Sequence, residues 1–157
     1  MNNIINNDFK SISINIKQAR QKVYAQINRS LIELYWDIGT IISRKVKQKK
    51  WGESVVSELA KFIIQNDPTS KGFSDKNLWR MKQFYETYKD DKKLSPLLRE
   101  LSWTQNMIIF SRCKRKEERE FYLRMTIKEK YSSRELDRQI DTSLFDKQLS
   151  AIKNFHQ

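Results

Sequence analysis

The stretch "KGFSDKNLWRMKQFYETY", residues 71–88, decides how this chain is read. Ser74 is a favoured N-cap residue, and Asp75 follows in the first turn, where an acid suits the positive end of the helix dipole. At about 100° per residue, Met81, Phe84, Tyr85 and Tyr88 gather with Leu78 on one face. Lys76, Arg80, Gln83 and Thr87 fall opposite. The pattern predicts a helix with one side for a core and one basic side. Trp79 stands outside the apolar cluster, near Arg80 and Lys82. A large aromatic there either packs on another helix or serves as an interaction residue.

Upstream lies "ESVVSELAKFIIQN", residues 53–66, a second helical pattern with Val55, Val56, Leu59, Phe62 and Ile63 on its inner side. Pro68 stops it, because the residue before proline is pushed out of the helical region. The two helices read as a helix-turn-helix pair whose break is longer than usual, closer to a winged-helix-like variant. In that geometry the second helix enters the major groove with its N-terminal residues near the bases. Lys76, Asn77 and Arg80 take that place, with Trp79 beside them, and Lys71 and Lys82 are placed for phosphates. The same pairing also occurs in all-α domains that bind nothing.

Further upstream, Ile12, Ile16, Ala19, Val23, Ile27, Leu31, Leu34, Ile38 and Ile41 recur at steps of three and four, which predicts one long helix of roughly 50 Å. That exceeds the width of a small domain, so part of the stripe must pack on a distant segment or a second chain. Gly39 is read as a local bend. "RKVKQKK", residues 44–50, suits the negative end of the helix dipole, or forms an anion-binding run.

Downstream, residues 93–98 suggest a short extended segment. Ser102 with Gln105 makes a capping-box pattern for a fourth helix whose run Met107, Ile108, Ile109 and Phe110 reads as buried on most sides. "KRKEEREFYLRMTIKEK" predicts a fifth helix. Ser132 with Glu135 opens a sixth, "SRELDRQIDTSLFDK". A second basic cluster, Arg112, Lys114, Arg115, Lys116 and Arg119, suits a phosphate backbone, or is a solvated link balanced by Glu117, Glu118 and Glu120. The expectation is an all-α chain of about six helices: a flexible terminus over residues 1–9, a helical domain over 10–148, and a tail or linker over 149–157.

Composition narrows the function. The 157 residues hold 31 Lys and Arg against 19 Asp and Glu, a net charge of +12 that favours polyanions, with nucleic acid first. Three glycines and two prolines agree with long helices. One cysteine, Cys113, excludes an internal disulfide and fits a reducing cytoplasm. No apolar run approaches a membrane span, and the N-terminus has no signal-peptide pattern. One His and one Cys cannot make a four-ligand zinc site. "DDKK", residues 90–93, has an acid-x-lysine spacing but lies in a polar link with no rigid shell. No catalytic residue, metal or cofactor is expected.

Several ordered motifs, "WGESVVSELAKFI", "GFSDKNLWRMKQFYETY", "LSWTQNMIIFSRC", "EEREFYLRMTIKEKYSSRELDRQI" and "SLFDK", carry a resemblance. Over residues 14–147 the chain resembles the N-terminal domain of the YhcG family of bacterial nucleases. The resemblance implies a helical DNA-binding module that precedes a PD-(D/E)xK nuclease domain, and no position here matches that domain's active residues. Where relatives carry Ser-His after "LSW", this chain has Thr104 and Gln105, which keeps a helix cap and loses the imidazole. The resulting expectation is a non-catalytic domain that binds double-stranded DNA. The alternative is a module that forms a homodimer through the long first helix or docks a nuclease or restriction partner.

Overall fold

The computed structural model describes residues 2–156. Seven α-helices and one 3₁₀ helix follow one another among these residues, with no strand: α1 (Asn3–Lys47), α2 (Glu53–Asn66), α3 (Asp75–Tyr88), the 3₁₀ helix (Ser95–Glu100), α4 (Trp103–Arg112), α5 (Lys116–Glu129), α6 (Ser133–Asp141) and α7 (Leu144–Phe155). The all-α expectation holds, with more helices than the six expected. The predicted sixth helix is broken at Ser143, whose φ of 55° lies in the left-handed region. The break turns Phe145 inward: its side chain is buried and meets the Phe121 ring at 5.4 Å, and its N–H donates to the Tyr122 hydroxyl at 3.3 Å. Residues 149–155, expected as tail, continue α7. The proposed extended segment is the 3₁₀ helix, with Pro96 in its first turn. Asp91 caps the approach to it, accepting from Leu94 N–H at 2.9 Å and Lys93 N–H at 3.1 Å.

α3 is the hub. Leu78, Met81, Phe84 and Tyr88 are buried, as the angular count requires, and Tyr85 is half-buried. The partner face on α1 is Ile32, Tyr35, Gly39, Ile42 and Ser43. A Cβ placed on Gly39 would overlap the carbonyl oxygen of Met81 and lie 3.1 Å from the Tyr85 Cβ. Gly39 is therefore no bend. It is the point where the two backbones touch, and α1 runs through it as continuous helix. Aromatic rings close around this crossing. Tyr35 meets Trp103 at 4.9 Å, Phe84 meets Trp103 at 5.1 Å, and Trp36 meets Tyr85 at 5.2 Å. Such tilted and edge-on pairs add to the burial itself.

The apolar stripe read from the sequence is not the face that packs. It lies roughly 130° around α1 from the buried face, at about 100° per residue. Its members stay solvent-accessible, from Leu31 at 41% to Ile12 at 58% exposed, with Ile38 half-buried. Asn28 is where α1 is first fastened to the body: its Nδ2 donates to the carbonyls of Leu101 at 2.7 Å and Arg99 at 3.1 Å. Every described residue before it is exposed. Since α1 starts at Asn3, about 38 Å of helix projects before that fastening, at 1.5 Å per residue.

The remaining helices follow local rules. Ser102 and Gln105 form the full capping box. Ser132 caps α6, but the Glu135 carboxylate turns instead to Arg138 and Gln139. In α4 only Ile109 of the four-residue apolar run is fully buried; Met107, Ile108 and Phe110 are half-buried. In α2, Val56 and Ala60 are buried while Phe62 is 59% exposed, because the helix rests chiefly on α3 and needs only a narrow apolar arc.

Gly39→Ala is expected to cost at least about 2 kcal/mol, the upper range of overpacking, because the obstacle is backbone that no rotamer can move. Thermal denaturation measures it, and an unchanged Tm would show that the crossing is looser than described. Cys113 is fully buried, and burial, assisted by Glu118, pushes its thiol up to about 12. It is expected to react with an aromatic disulfide reagent at the rate of global opening, accelerating steeply at the denaturant midpoint.

Candidate nucleic-acid interface

α3 presents its N-terminal half beside α4. Arg80 borders a shallow groove lined by Asn77, Trp103, Thr104, Met107, Ile108 and Ser111, with no carboxylate in its wall. Lys71 and Lys76 are exposed near its upstream end. Among the described residues, Lys71, Lys76 and Arg80 have no acid within ion-pair distance. The second and third amides of α3 are already engaged: the Ser74 Oγ accepts from Asn77 N–H at 3.1 Å, and the Asp75 carboxylate accepts from Lys76 N–H at 2.8 Å. Any anion here is held by side chains, not by the helix N-terminus.

The other α3 candidates have internal work. Asn77 donates from Nδ2 to the Gly72 carbonyl and accepts from Trp103 Nε1 at 3.0 Å, so neither end of its amide is free. Gly72 has a φ of 89°, a conformation that favours glycine, and the Asn77 bond fixes that turn. Lys82 pairs with Glu86 at 3.1 Å and lies 5.8 Å from the centre of the Trp79 ring. Trp79 is half-buried and packs against the chain's own core.

The second cluster splits apart. Arg112 pairs with Asp137 at 3.0 Å and with Asp141, and these bonds raise its pKa against the effect of burial. Arg115 pairs with Asp146 at 3.0 Å and covers the Phe145 ring at 5.1 Å. Arg119 donates from Nε to the Cys113 carbonyl at 2.9 Å. Lys116 pairs with Asp91 at 3.3 Å. Only Lys114 is exposed without an ion pair among the described residues. The arginines clasp α4 and the start of α5 to α6 and α7, using acids remote in sequence more than the adjacent glutamates.

A third cation group, outside both clusters, is assembled by the α1–α3 crossing. A depression between the two helices is lined by Thr40, Ser43, Arg44, Lys47, Gln48 and Tyr85. Lys89, at the end of α3, lies 5.9 Å from the centre of the Tyr85 ring and meets Lys47 at the rim. Contact with the Lys89 side chain holds Lys47 below the ordinary lysine value, and the same contact holds Lys89 above it. Lys49 and Lys50 follow in the turn after α1. Two carboxylates are near: Asp90 beside Lys89, and Glu86, which is engaged by Ser43 at 2.7 Å and by Lys82. Burial works to raise the Glu86 pKa, but these partners and Lys47 hold it below the usual carboxylate value. The run "RKVKQKK" was the sequence signal for this site; that Lys89 joins it depends on the crossing.

The donors here suit a phosphate or carboxylate ligand. They do not form a proton-transfer set. Among the described residues no group of three or more His, Cys, Asp or Glu is placed to hold a metal ion, and no helix is long and apolar enough to cross a membrane. His156 is exposed at the end of α7.

The fold is an all-α domain with a net charge of +12 and a projecting first helix. The model of the DUF1016 N-terminal domain matches residues 11–147, and the chain belongs to this family, the N-terminal domain of the YhcG type that its motifs resemble. Comparisons with curated proteins and with solved structures return no match.

Lys47→Gln and Lys89→Gln are each expected to leave Tm unchanged or raise it at low salt, because either removes one of two like charges in contact. A clear loss of stability would mean that the pair holds the fold together instead of awaiting an anion.

Proposed function

We propose that the chain is a non-catalytic domain that binds double-stranded DNA, mainly through its phosphates. The observation that carries this reading is the convergence of Lys47 and Lys89, with Arg44, around a depression whose wall holds no carboxylate. Like charges held together raise the energy of the free protein, and a polyanion relieves it. In this reading α2 and α3 act as the helix-turn-helix-like pair, and α3 offers Lys71, Lys76 and Arg80 to the duplex. With Asn77 committed internally, base reading is narrow and backbone contact dominates. The non-catalytic part is supported by Asp91, which caps the 3₁₀ helix and pairs with Lys116. A cytoplasmic setting belongs to the same proposal.

Fluorescence anisotropy with duplex, single-stranded and RNA probes, each titrated with salt, tests it. Duplex should bind best, with log K falling linearly in log salt by about 0.9 per phosphate contacted. The triple variant Arg44→Gln, Lys47→Gln, Lys89→Gln should lower that slope by about 2 to 3. Lys76→Gln with Arg80→Gln should lower it by about 2. Slopes that match the unaltered protein in both variants would reject the interface.

A further inference from the structure

The stripe that α1 leaves uncovered adjoins the proposed DNA contacts only at its Ile41 end, one turn before Arg44, and along the rest of its length it needs a different occupant. We propose that the occupant is the same stripe of a second copy of this chain, packed antiparallel with the two-fold axis at Ile27.

The first argument is the arrangement of the stripe. From Ile12 to Ile41 it advances by about 3.6 residues per turn, the period of a straight α-helix, so it stays on one side of α1 without supercoiling. It is also close to symmetric about Ile27. Antiparallel pairing sets Ile16 against Ile38 and Val23 against Leu31 of the second copy in register, and Ile12 against Ile41 within one residue, about 1.5 Å. Ile27 meets its own equivalent.

Charge selects the direction. Between residues 9 and 32 the helix carries Lys10, Lys17, Arg20, Lys22 and Arg29 and no acid; Glu33 and Asp37 come next. Parallel pairing would lay five cations beside five. Antiparallel pairing lays residues 17–22, with Lys17, Arg20 and Lys22, along residues 32–37, which hold Glu33 and Asp37 and no cation. It brings Lys22 to within one turn of Glu33 of the second copy, on the same flank of the stripe, where it shares that carboxylate with the copy's own Arg99.

Area is sufficient. The stripe residues Ile12, Ile16, Val23, Ile27, Leu31, Leu34 and Ile41 are each 41–58% exposed. Two such faces closed over about 45 Å remove on the order of 1,000 Å² from water, the lower bound for a specific interface. The same closure accounts for a projecting helix that its own chain does not support, since helices in proteins owe most of their stability to packing of an amphipathic face.

Light scattering on nucleic-acid-free protein at high salt should give twice the chain mass, because apolar closure survives salt that removes DNA-bridged association. Ile16→Glu with Val23→Glu lies in the part of α1 that is free of the body. It should halve the mass and leave the near-ultraviolet dichroism of the aromatic core unchanged. Orientation is read by disulfide trapping, with Cys113 buried and silent. Ile27→Cys should cross-link to itself, and an Ile12→Cys chain should cross-link to an Ile41→Cys chain but not to another Ile12→Cys chain. A monomer, including one that attaches only to anionic vesicles or to an acidic partner helix, overturns the proposal. So does a dimer that survives the double Glu variant, or an Ile12→Cys self-cross-link.

Discussion

The structure depends on one close approach, that of α1 to α3 at Gly39. With no side chain there, the α1 backbone reaches the Met81 carbonyl, and Tyr35, Ile42, Met81 and Phe84 close around the crossing. That contact seats the rings of Trp36 and Trp103 on Phe84, at 5.9 and 5.1 Å. Trp103 in turn reaches Asn77, which fixes the turn at Gly72 before α3. The order of α4, of the loop before α3 and of the lysines at the far end of α3 all trace to that crossing.

The cations of the chain divide into two populations with different physics. One holds helices together: Arg112 and Arg115 bridge to Asp137, Asp141 and Asp146, and Arg29 and Arg99 pair with Glu100 and Glu33 where α1 meets the 3₁₀ helix. These pairs are exposed, so each contributes little on its own and serves more to orient the helices it joins. The other population, from Arg44 to Lys50 with Lys89 and from Lys71 to Arg80, has few acids near it. The net charge of +12 is therefore not spread evenly over the surface. Two families of site, one clamping and one open, were indistinguishable as runs of Lys and Arg.

α1 has two apolar faces, and only one of them packs on the chain's own helices. The buried face begins at Asn28 and uses a tyrosine, a glycine and a serine among its members, which makes it inconspicuous as a hydrophobic pattern. The outer stripe is almost purely aliphatic and is the more conspicuous of the two. A periodic apolar pattern reports that a face is meant to be covered. It does not say by which chain.

The sequence by itself determined the helical class, the positions of the caps and the inner face of α3, because these follow from interactions within a few residues: Ser74 with Asn77, Ser102 with Gln105, and the 3.6-residue period of Leu78, Met81, Phe84 and Tyr88. The motifs it carries also led to its family, which the match over residues 11–147 shows. Tertiary structure decided what depends on distant partners. It turned Gly39 from an apparent bend into a contact, removed Asn77 and Lys82 from the free surface, and tied the Arg112 cluster to acids 25 to 31 residues away. It also brought Lys89 to Lys47. Local propensity is written residue by residue along the chain, whereas the company a side chain keeps is set only when helices cross.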